Sequence, residues 1–398
     1  MLNSTVFNQA DFISKHITKR EASLCAADLA AHQEKLRARI DGKSVLVIGG
    51  AGTIGSSFIR ALLHFKPRSL CVVDTNENGL AELTRDLRSG LQYHVPKAYV
   101  TYPMDFGAAV FEKMFRHQQG FDIVANFAAH KHVRSEKDHF SIEAMLENNV
   151  FKAKRLLDLL LAHPPQRYFS VSTDKAANPV NVMGASKKLM EEVILAYGAH
   201  FSVTTARFAN VAFSNGSLLA SYANRLALGQ PLVAPTDVKR YFVSPEESGQ
   251  ICLLAAMLGK SGEVFFPQLK EEQMMTFATI AKAYLREHGL KIFTTESEKE
   301  ARTQVQNMLK QQGYPLFLFS SNTSGEKPYE EFFTAEERVD LTRFSQLGVI
   351  TNAFHRDLAA LESLIENLRE VFASTASKAD VVAAFTGGQV HKISQQTL

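Results

Sequence analysis

Short runs of apolar residues alternate with longer stretches of helical periodicity through the first half of the chain. The first run, 43–48, is rich in β-branched residues and is followed by two glycines, which is typical of a strand buried on both faces. The alternation predicts a doubly wound parallel sheet of the α/β class. Further strands are predicted at 70–73, 98–102, 123–127, 168–171 and 203–206, and helices at 56–65, 79–87, 142–162 and 187–200.

A glycine motif follows the first predicted strand. Gly49, Gly52 and Gly55 are spaced as in loops that bind a dinucleotide, and a helix is expected to begin at Ser56. The first glycine allows a tight turn, the second lets backbone N–H groups approach a pyrophosphate, and the helix N-terminus attracts negative charge. This order predicts a Rossmann-type domain. The predicted loop ligands are Gly49, Gly52, Thr53, Ile54 and Gly55.

Two carboxylates follow the next strands. Asp74 ends the second apolar run, where a carboxylate accepts hydrogen bonds from an adenosine ribose, so we predict NAD rather than NADP. Asp105 follows the third run, and two interpretations stay open for it: a contact with adenine or the N-cap of a helix.

The pattern changes on both sides of this region. Residues 1–42 are polar and charged, but 26–40 has apolar residues at near-helical spacing, so we expect a helix packed on the main body. Beyond about residue 235 the alternation weakens, and 296–310 is a charged helical stretch. We therefore predict a helical N-terminal extension over 1–42, an NAD-binding Rossmann domain over 43–235 and a substrate-binding region over 236–398.

Composition narrows the class of protein. The 398 residues are 45% hydrophobic and 21% charged, which is usual for a soluble globular enzyme. The net charge of +3 comes without a basic tail, so neither nucleic acid nor an anionic membrane is an expected partner. No apolar run approaches the roughly 18 residues of a membrane span. Three widely spaced cysteines predict neither disulfides nor a metal site, and indicate the cytoplasm.

Four segments carry a resemblance to a known family. They are 129–133 (AHKHV), 172–186 (STDKAANPVNVMGAS), 207–211 (RFANV) and 325–331 (GEKPYEE). Together with the glycine loop, they resemble the extended short-chain dehydrogenase/reductases, and more narrowly the bacterial UDP-N-acetylglucosamine 4,6-dehydratases of polysaccharide biosynthesis. The resemblance covers 43–335 and implies bound NAD, with Ala128 and Ala129 among the residues beside it.

The resemblance assigns roles to three consecutive residues. Such a dehydratase oxidises the sugar at C4, eliminates water across C5 and C6, and reduces C6, which requires three proton handlers. The resemblance makes Lys175 the C5 base, Asp174 the acid for the leaving water, and Thr173 a hydrogen-bond partner near the C4 oxygen. Adjacent Asp and Lys stabilise each other's charged forms although both act when neutral, so burial must oppose the pairing. Lys187 is implied to hold the nicotinamide ribose.

Met183 departs from the superfamily pattern. It occupies the place, four residues before Lys187, where most members have the Tyr that accepts the C4 hydroxyl proton, and a thioether cannot act as a base. Either Thr173 with a water chain or the Asp174/Lys175 pair must take over. A subset of the resembling dehydratases carries Met here, and the resemblance implies that this subset retains configuration at C5.

The expected substrate contacts are more scattered. Arg240 resembles the family arginine near the UDP diphosphate, with a surface salt bridge as the alternative. Asn210 is assigned to the diphosphate or sugar, with backbone capping at a strand end as the alternative, and Lys131 to the sugar pocket. Glu326 belongs to a motif on the nucleotide side, although Thr323-Ser324 replaces the Arg-Pro that usually precedes it.

The sequence thus predicts a cytoplasmic, NAD-dependent UDP-N-acetylglucosamine 4,6-dehydratase that retains C5 and supplies a sugar for surface glycans. We expect a homo-oligomer with contacts through residues 1–42. A nucleotide-sugar 4-epimerase on the same scaffold is one alternative, which the Asp174-Lys175 pair disfavours. A catalytically silent NAD-binding protein, suggested by Met183 alone, is another.

Overall fold

The computed structural model describes residues 7–132, 138–321, 329–374, 377, 380, 381, 383 and 384. Within these residues the strands are β1 Ser44–Ile48, β2 Ser69–Asp74, β3 Ala98–Pro103, β4 Ile123–Asn126, β5 Arg167–Val171, β6 Val203–Ala206, β7 Asn210–Val211, β8 Leu232–Pro235, β9 Lys239–Arg240, β10 Phe242–Val243, β11 Glu263–Pro267, β12 Met275–Thr276, β13 Lys291–Thr295, β14 Gly313–Phe319, β15 Val339–Asp340 and β16 Leu347–Ile350.

The α-helices of the same residues flank or connect these strands. They are α1 Gln9–Phe12, α2 Ala26–Ala31, α3 Gln33–Ile40, α4 Thr53–Leu62, α5 Glu77–Ser89, α6 Ala109–His117, α7 His139–Leu146, α8 Lys152–Leu160, α9 Val182–Ala196, α10 Ala220–Ala227, α11 Pro245–Leu258, α12 Phe277–Glu287, α13 Glu298–Leu309 and α14 Leu358–Ala373.

The chain forms two compact units, and the larger one contains a nine-stranded sheet. Its strand order is β15-β16-β11-β6-β5-β4-β1-β2-β3, in which β3 to β11 run parallel and β16 and β15 are antiparallel additions at one edge. The strands β1, β4 and β6 are buried along their length because helices flank the sheet. The 3-2-1-4-5-6 order confirms the predicted Rossmann-type fold. Its direction reverses between β1 and β4, where ligands usually bind.

The predicted helices are present with different bounds. The helix expected over 26–40 is two helices, α2 and α3, separated at His32. The helix expected over 142–162 consists of α7, a π-helical stretch Glu147–Phe151 and α8. The helix α4 begins at Thr53 instead of Ser56, because Gly55 adopts helical geometry inside the first turn.

The smaller unit is drawn from three separate parts of the chain, 1–24, 209–247 and 269–330. Its three parallel strands have the order β13-β14-β8, and its core contains Tyr284 at 1% exposure. This division differs from the predicted boundaries at 42 and 235, because the chain leaves the large sheet after β6 and returns to it for β11.

The first described residues belong to the core of the smaller unit. Phe12, Ile13 and Ile17 are 1–2% exposed there, and the Phe12 ring meets Tyr284 edge to face at 5.6 Å. Arg20 donates from Nε and Nη2 to the two carboxylate oxygens of Glu247, both at 2.7 Å. These side chains therefore pack within their own chain, and oligomer contacts through 1–42 stay a prediction.

Candidate functional site

The glycine loop of the larger unit is shaped by contacts that exclude side chains. Gly49 has a φ of +74°, and a Cβ there would lie 2.6 Å from the backbone nitrogen of Ala128, just after β4. A Cβ on Gly55 would lie 2.3 Å from the carbonyl oxygen of Gly49. Gly52 is the N-cap of α4, so the first helical residues are Thr53 and Ile54. Backbone N–H groups at such a helix start are suited to a pyrophosphate.

The carboxylate of Asp74 connects the end of β2 to this loop. Its Oδ2 accepts a hydrogen bond from the Ala51 N–H at 2.9 Å, and its Oδ1 accepts one from the Asn76 N–H at 2.9 Å. A carboxylate oxygen has two lone pairs, so both oxygens keep capacity for a ribose hydroxyl. Asp74 is thus positioned by the loop and chemically able to accept from an adenosine ribose.

Asp105 is not the helix N-cap that was one of its two interpretations, because Ala108 is the N-cap residue of α6. Its Oδ1 accepts from the Gly107 N–H at 2.7 Å, and its Oδ2 pairs with the ammonium group of Lys152. Burial raises the pKa of Asp105, but Lys152 and the Gly107 N–H lower it more, so the pKa lies below its ordinary value. Contact with adenine stays a prediction.

The segment after β4 is held by a residue that the sequence did not single out. The Ala128 N–H donates to Asn126 Oδ1 at 3.0 Å, and Ala129 follows. The fully buried Asn149 then accepts from the His130 N–H at 2.8 Å and donates to the His130 carbonyl oxygen at 2.9 Å. Its amide also donates to Ser186 Oγ at 3.1 Å. A polar residue on a buried helical face was the only sequence signal for this role.

The predicted catalytic residues form a tight turn after β5. Thr173 is followed by one turn of 3₁₀-helix over Asp174–Ala176, and the Asp174 N–H donates to the carbonyl oxygen of Phe208 at 3.1 Å. Asp174 Oδ1 accepts from the Thr173 hydroxyl at 2.8 Å, the Lys175 N–H at 2.9 Å and the Lys175 ammonium at 3.0 Å. Asp174 is 4% exposed, whereas the Lys175 side chain is 20% exposed. All three groups therefore converge on one oxygen atom.

Helix α9 brings two further predicted residues to the same part of the larger unit. A Cβ on Gly184 would lie 2.7 Å from the Lys175 carbonyl oxygen, so a glycine is needed where α9 passes the turn. Met183 is 2% exposed at the start of this helix. Lys187 is 3% exposed and donates from Nζ to the Val171 carbonyl oxygen at 2.7 Å. Burial lowers the pKa of Lys187 to about 8, although Glu191 acts in the opposite direction.

The predicted substrate contacts lie in several places. Lys131 lies at the surface of the larger unit, and the protein atoms around its ammonium group displace part of its hydration and lower its pKa. In the smaller unit, the Asn210 N–H donates to the Tyr241 carbonyl oxygen at 3.1 Å. Arg240 is 4% exposed and lies 3.9 Å from a Glu330 carboxylate oxygen, so it is not part of a surface salt bridge. Glu326 lies outside the described residues.

The sheet order and the glycine loop together define a Rossmann-type α/β protein. The chain belongs to the polysaccharide biosynthesis protein family, whose pattern matches residues 45–352. This match agrees with the polysaccharide-biosynthesis part of the resemblance, whereas the narrower dehydratase assignment stays a prediction.

Curated relatives include proteins with dehydratase and epimerase names. An uncharacterized membrane protein of Methanocaldococcus jannaschii is 32% identical over 56% of this chain and 66% of its own. The probable polysaccharide biosynthesis protein EpsC of Bacillus subtilis is 28% identical over 84% of this chain and 52% of its own. An inverting UDP-N-acetylglucosamine 4,6-dehydratase of Campylobacter jejuni is 25% identical over 60% of this chain and 70% of its own. UDP-glucose 4-epimerases from Rickettsia also match. The chain spans about half the length of EpsC and two thirds of the archaeal protein.

Solved structures share the fold at low identity. Pen from Bacillus thuringiensis superposes with a TM-score of 0.63 at 20% identity, over 80% of this chain and 90% of that protein. The dTDP-glucose 4,6-dehydratase DesIV from Streptomyces venezuelae, solved with NAD bound, gives a TM-score of 0.56 at 20% identity. The superposition covers 72% of this chain and 87% of DesIV. Among the described residues, no helix has the length and apolar character needed to cross a bilayer.

Proposed function

We propose that this protein is an NAD-dependent 4,6-dehydratase that acts on UDP-N-acetylglucosamine with retention at C5, supplying a 4-keto-6-deoxy sugar for surface glycans. The observation that carries this proposal is that the Thr173 hydroxyl and both the backbone N–H and the side chain of Lys175 donate to one carboxylate oxygen of Asp174, in a turn packed against α9. Relatives named as dehydratases and the NAD-bound structural neighbour support it.

The cofactor would be held by the larger unit. The loop of Gly49, Gly52 and Gly55 would face the pyrophosphate, Asp74 the adenosine ribose, and Lys187 the nicotinamide ribose. Bound NAD supplies reversible redox chemistry, so that the sugar is oxidised at C4 and reduced at C6 with no net change of cofactor. The further predicted neighbours of the cofactor are Thr53, Ile54, Asp105, Ala128 and Ala129.

The three residues of the turn suffice for a closed proton circuit. As C4 is oxidised, its hydroxyl proton passes to Thr173 Oγ while the Thr173 proton moves along the existing 2.8 Å hydrogen bond to Asp174. Asp174 then gives this proton to the departing C6 hydroxyl, which leaves as water. The circuit requires Lys175 to act as the neutral amine, so the ammonium group that donates to Asp174 must first release a proton. Lys175 then removes the C5 proton, and after C6 is reduced its ammonium group, whose protons exchange with solvent, protonates C5. One turnover therefore leaves Asp174 ionised and Lys175 neutral.

This circuit needs no phenol at position 183. Met183 is buried and cannot transfer a proton, but the Thr173 hydroxyl already donates to a carboxylate that can act as the base. Retention at C5 follows if Lys175, which removes the proton, also returns it to the same face of the sugar. The relatives from Campylobacter jejuni are named as inverting enzymes, so the stereochemical outcome is a direct test of this part of the proposal.

We propose that Arg240, in the smaller unit, binds the diphosphate of the substrate. Its guanidinium is buried, lies 3.9 Å from a Glu330 carboxylate oxygen and donates from Nη1 to the Lys239 carbonyl oxygen at 2.9 Å. The planar donor arrangement of a guanidinium suits phosphate oxygens. Asn210, Lys131 and Glu326 are the further proposed substrate contacts. The epimerase names among the relatives favour a second candidate, a UDP-sugar 4-epimerase, which would leave the C5 base without a role.

The test is incubation with UDP-N-acetylglucosamine in deuterated water, followed by proton NMR, first without and then with added NAD. A 4-keto-6-deoxy product with deuterium at C5 supports the dehydratase, and the C5 coupling constants distinguish retention from inversion. A C4 epimer alone would establish the epimerase instead. Absence of any product with NAD present would overturn both activities on UDP-N-acetylglucosamine.

Variants of the turn sharpen this test. Asp174→Asn and Lys175→Met should each reduce turnover by about 10²- to 10⁴-fold, the usual contribution of a general acid or base. The matched control is Asp86→Asn, which neutralises an exposed carboxylate paired with Arg60 on the outside of the larger unit. Activity of the control should equal that of the wild type. Equal losses in all three variants would contradict the proposed roles.

A further inference from the structure

A chain of buried polar side chains begins at the residue before the catalytic turn. Ser172 Oγ donates to Glu191 Oε1 at 2.6 Å, and Arg207 donates to both Glu191 oxygens from Nε at 3.0 Å and from Nη2 at 2.9 Å. The other edge of the guanidinium binds both oxygens of Glu337 at 2.8 Å. Arg207 and Glu191 are 0% exposed. We call these four side chains the buried network.

Arg207 has no spare donor in this arrangement. Its remaining N–H group donates to the Phe332 carbonyl oxygen at 2.9 Å, so all five guanidinium hydrogens are used. Burial raises the pKa of Glu191, but the guanidinium of Arg207 outweighs burial and holds the pKa below its ordinary value. The Glu191 carboxylate is therefore ionised and pairs with the positive charge of Arg207.

The buried network reaches the catalytic turn at two points. Ser172 immediately precedes Thr173, and its own N–H donates to the Ala206 carbonyl oxygen at 2.7 Å. Arg207 immediately precedes Phe208, whose carbonyl oxygen accepts the Asp174 N–H at 3.1 Å. Both backbone attachments of the turn are thus fixed by residues that bind Glu191. Because the turn is only one residue away from each anchor, small shifts of Glu191 would move Asp174.

Stability alone gives a poor reason for such a network. Buried ion pairs are often matched or exceeded in stability by well-packed apolar side chains of the same volume, because the charges lose their hydration. Charged partners instead fix the orientation of the groups they join, since a bidentate pair sets both the distance between the two groups and their common plane.

We propose that Glu191 is a positioning residue, which holds the Thr173-Asp174-Lys175 turn through Ser172 and is itself held by Arg207 and Glu337. This inference rests on the proposed function for its consequence in catalysis. Its structural part, the immobilisation of the turn, can be measured without any turnover.

Glu191 also stands one helical turn after Lys187 on α9, so its charge acts on a second residue of the site. This carboxylate raises the pKa of Lys187, against the larger opposite effect of burial. The other charged groups next to Glu191 are Lys188 at 3.9 Å, Arg207 with Glu337 beyond it, and the neighbouring Glu192, which pairs with Arg356. Removal of the Glu191 charge should therefore make Lys187 lose its proton at lower pH.

Ser172→Ala is the sharpest variant, because it removes one hydroxyl and leaves every ion pair in place. Hydrogen–deuterium exchange of the 172–176 backbone should become faster by about fivefold, the factor expected for one lost hydrogen bond. With UDP-N-acetylglucosamine as substrate, kcat should fall by about 10- to 100-fold with little change in KM, because a displacement near 1 Å is enough for such a loss. Ser172→Thr, which restores a hydroxyl, should recover part of both effects.

Neutralising a buried carboxylate, as Glu191→Gln does below, needs a control of its own, Glu263→Gln. Glu263 is another buried carboxylate of the larger unit, and it forms a bidentate pair with Arg343 at 2.7 and 2.9 Å. Glu263 begins β11, at the opposite end of the parallel strands from the catalytic turn. This variant should change neither the exchange of 172–176 nor kcat. A general effect of neutralising a buried carboxylate would appear in Glu263→Gln as well as in Glu191→Gln.

Glu191→Gln tests the charge separately, because its amide oxygen can still accept from Ser172. The alkaline limb of the pH profile of kcat should move to lower pH than in the wild type, which a merely structural role would not produce. Unchanged exchange of 172–176 in Ser172→Ala would overturn the inference whether or not the wild type is active. Inactive wild type with faster exchange in Ser172→Ala would instead overturn the dehydratase and support the positioning role.

Discussion

Lys187 is expected to make the stability of this protein depend on pH in the alkaline range. Its ammonium group is 3% exposed and donates to the Val171 carbonyl oxygen at 2.7 Å. Burial lowers its pKa from 10.5 to about 8 in the folded protein. Between these two values the unfolded chain binds the proton and the folded chain does not. The free energy of unfolding should therefore rise with pH over this range.

The size of the effect follows from the two pKa values. One pKa unit corresponds to about 1.4 kcal/mol, so a fall from 10.5 to about 8 corresponds to about 3 kcal/mol for a fully buried group. Below pH 8 both states are protonated and the full penalty for the buried charge is present. This penalty decreases progressively from pH 8 to 10.5, because the folded protein has released the Lys187 proton while the unfolded chain still binds it.

The measurement is urea unfolding of the wild type and of Lys187→Met, in the absence of cofactor, at intervals from pH 7 to 10.5. The wild type minus variant difference in unfolding free energy should rise by about 3 kcal/mol across this range. Hydrogen bonds lost in the variant shift this difference by a constant and leave its slope unchanged. Lys113→Met, at an exposed position on α6, should give a flat difference. A flat difference for Lys187→Met as well would refute the reasoning.

Two further substitutions test the glycine loop and the N-terminal segment. Gly49→Ala combines a left-handed φ, which costs about 1–2 kcal/mol, with a clash at 2.6 Å, and should abolish NAD binding measured by calorimetry. Gly42 has the same φ of +74° but no atom of the described residues lies within 4 Å of an added Cβ, so Gly42→Ala should keep NAD binding. Equal NAD affinity in the two variants would contradict this account. Arg20→Ala removes the cation that pairs with the buried Glu247, whose carboxylate keeps the hydrogen bonds from the Leu24 and Ser244 N–H groups, and should lower the unfolding free energy by about 3 kcal/mol. Arg302→Ala, in an exposed pair, should cost at most about 1 kcal/mol.

The parallel sheet was predictable because its signal is local. A strand buried on both faces needs several consecutive apolar residues, and the runs at 43–48 and 168–171 correspond closely to β1 and β5. Helix starts were less accurate, since the three glycines suggested a loop up to Ser56 whereas α4 already begins at Thr53. Glycine is compatible with both conformations, so composition alone does not place that boundary.

The division into units was not predictable in the same way. Phe12 and Ile17 are apolar residues in a polar segment, and nothing adjacent to them in sequence shows which core they join. In the structure they pack with Tyr284, more than 250 residues later in the chain, and Arg20 pairs with Glu247. The choice of partner depends on how the chain returns from the large sheet, which periodicity does not encode.

The candidate site shows the same distinction between local and distant signals. The groups proposed to carry out the chemistry, Thr173, Asp174 and Lys175, are consecutive, so a short motif was enough to find them. The groups that hold them are spread over the chain, and Glu337 joins Arg207 from 130 residues away. Met183 therefore looks decisive in the sequence, because a thioether cannot act as a base. In the structure the Thr173 hydroxyl already donates to the Asp174 carboxylate at 2.8 Å, and the proposed proton circuit uses this contact instead of a base at position 183.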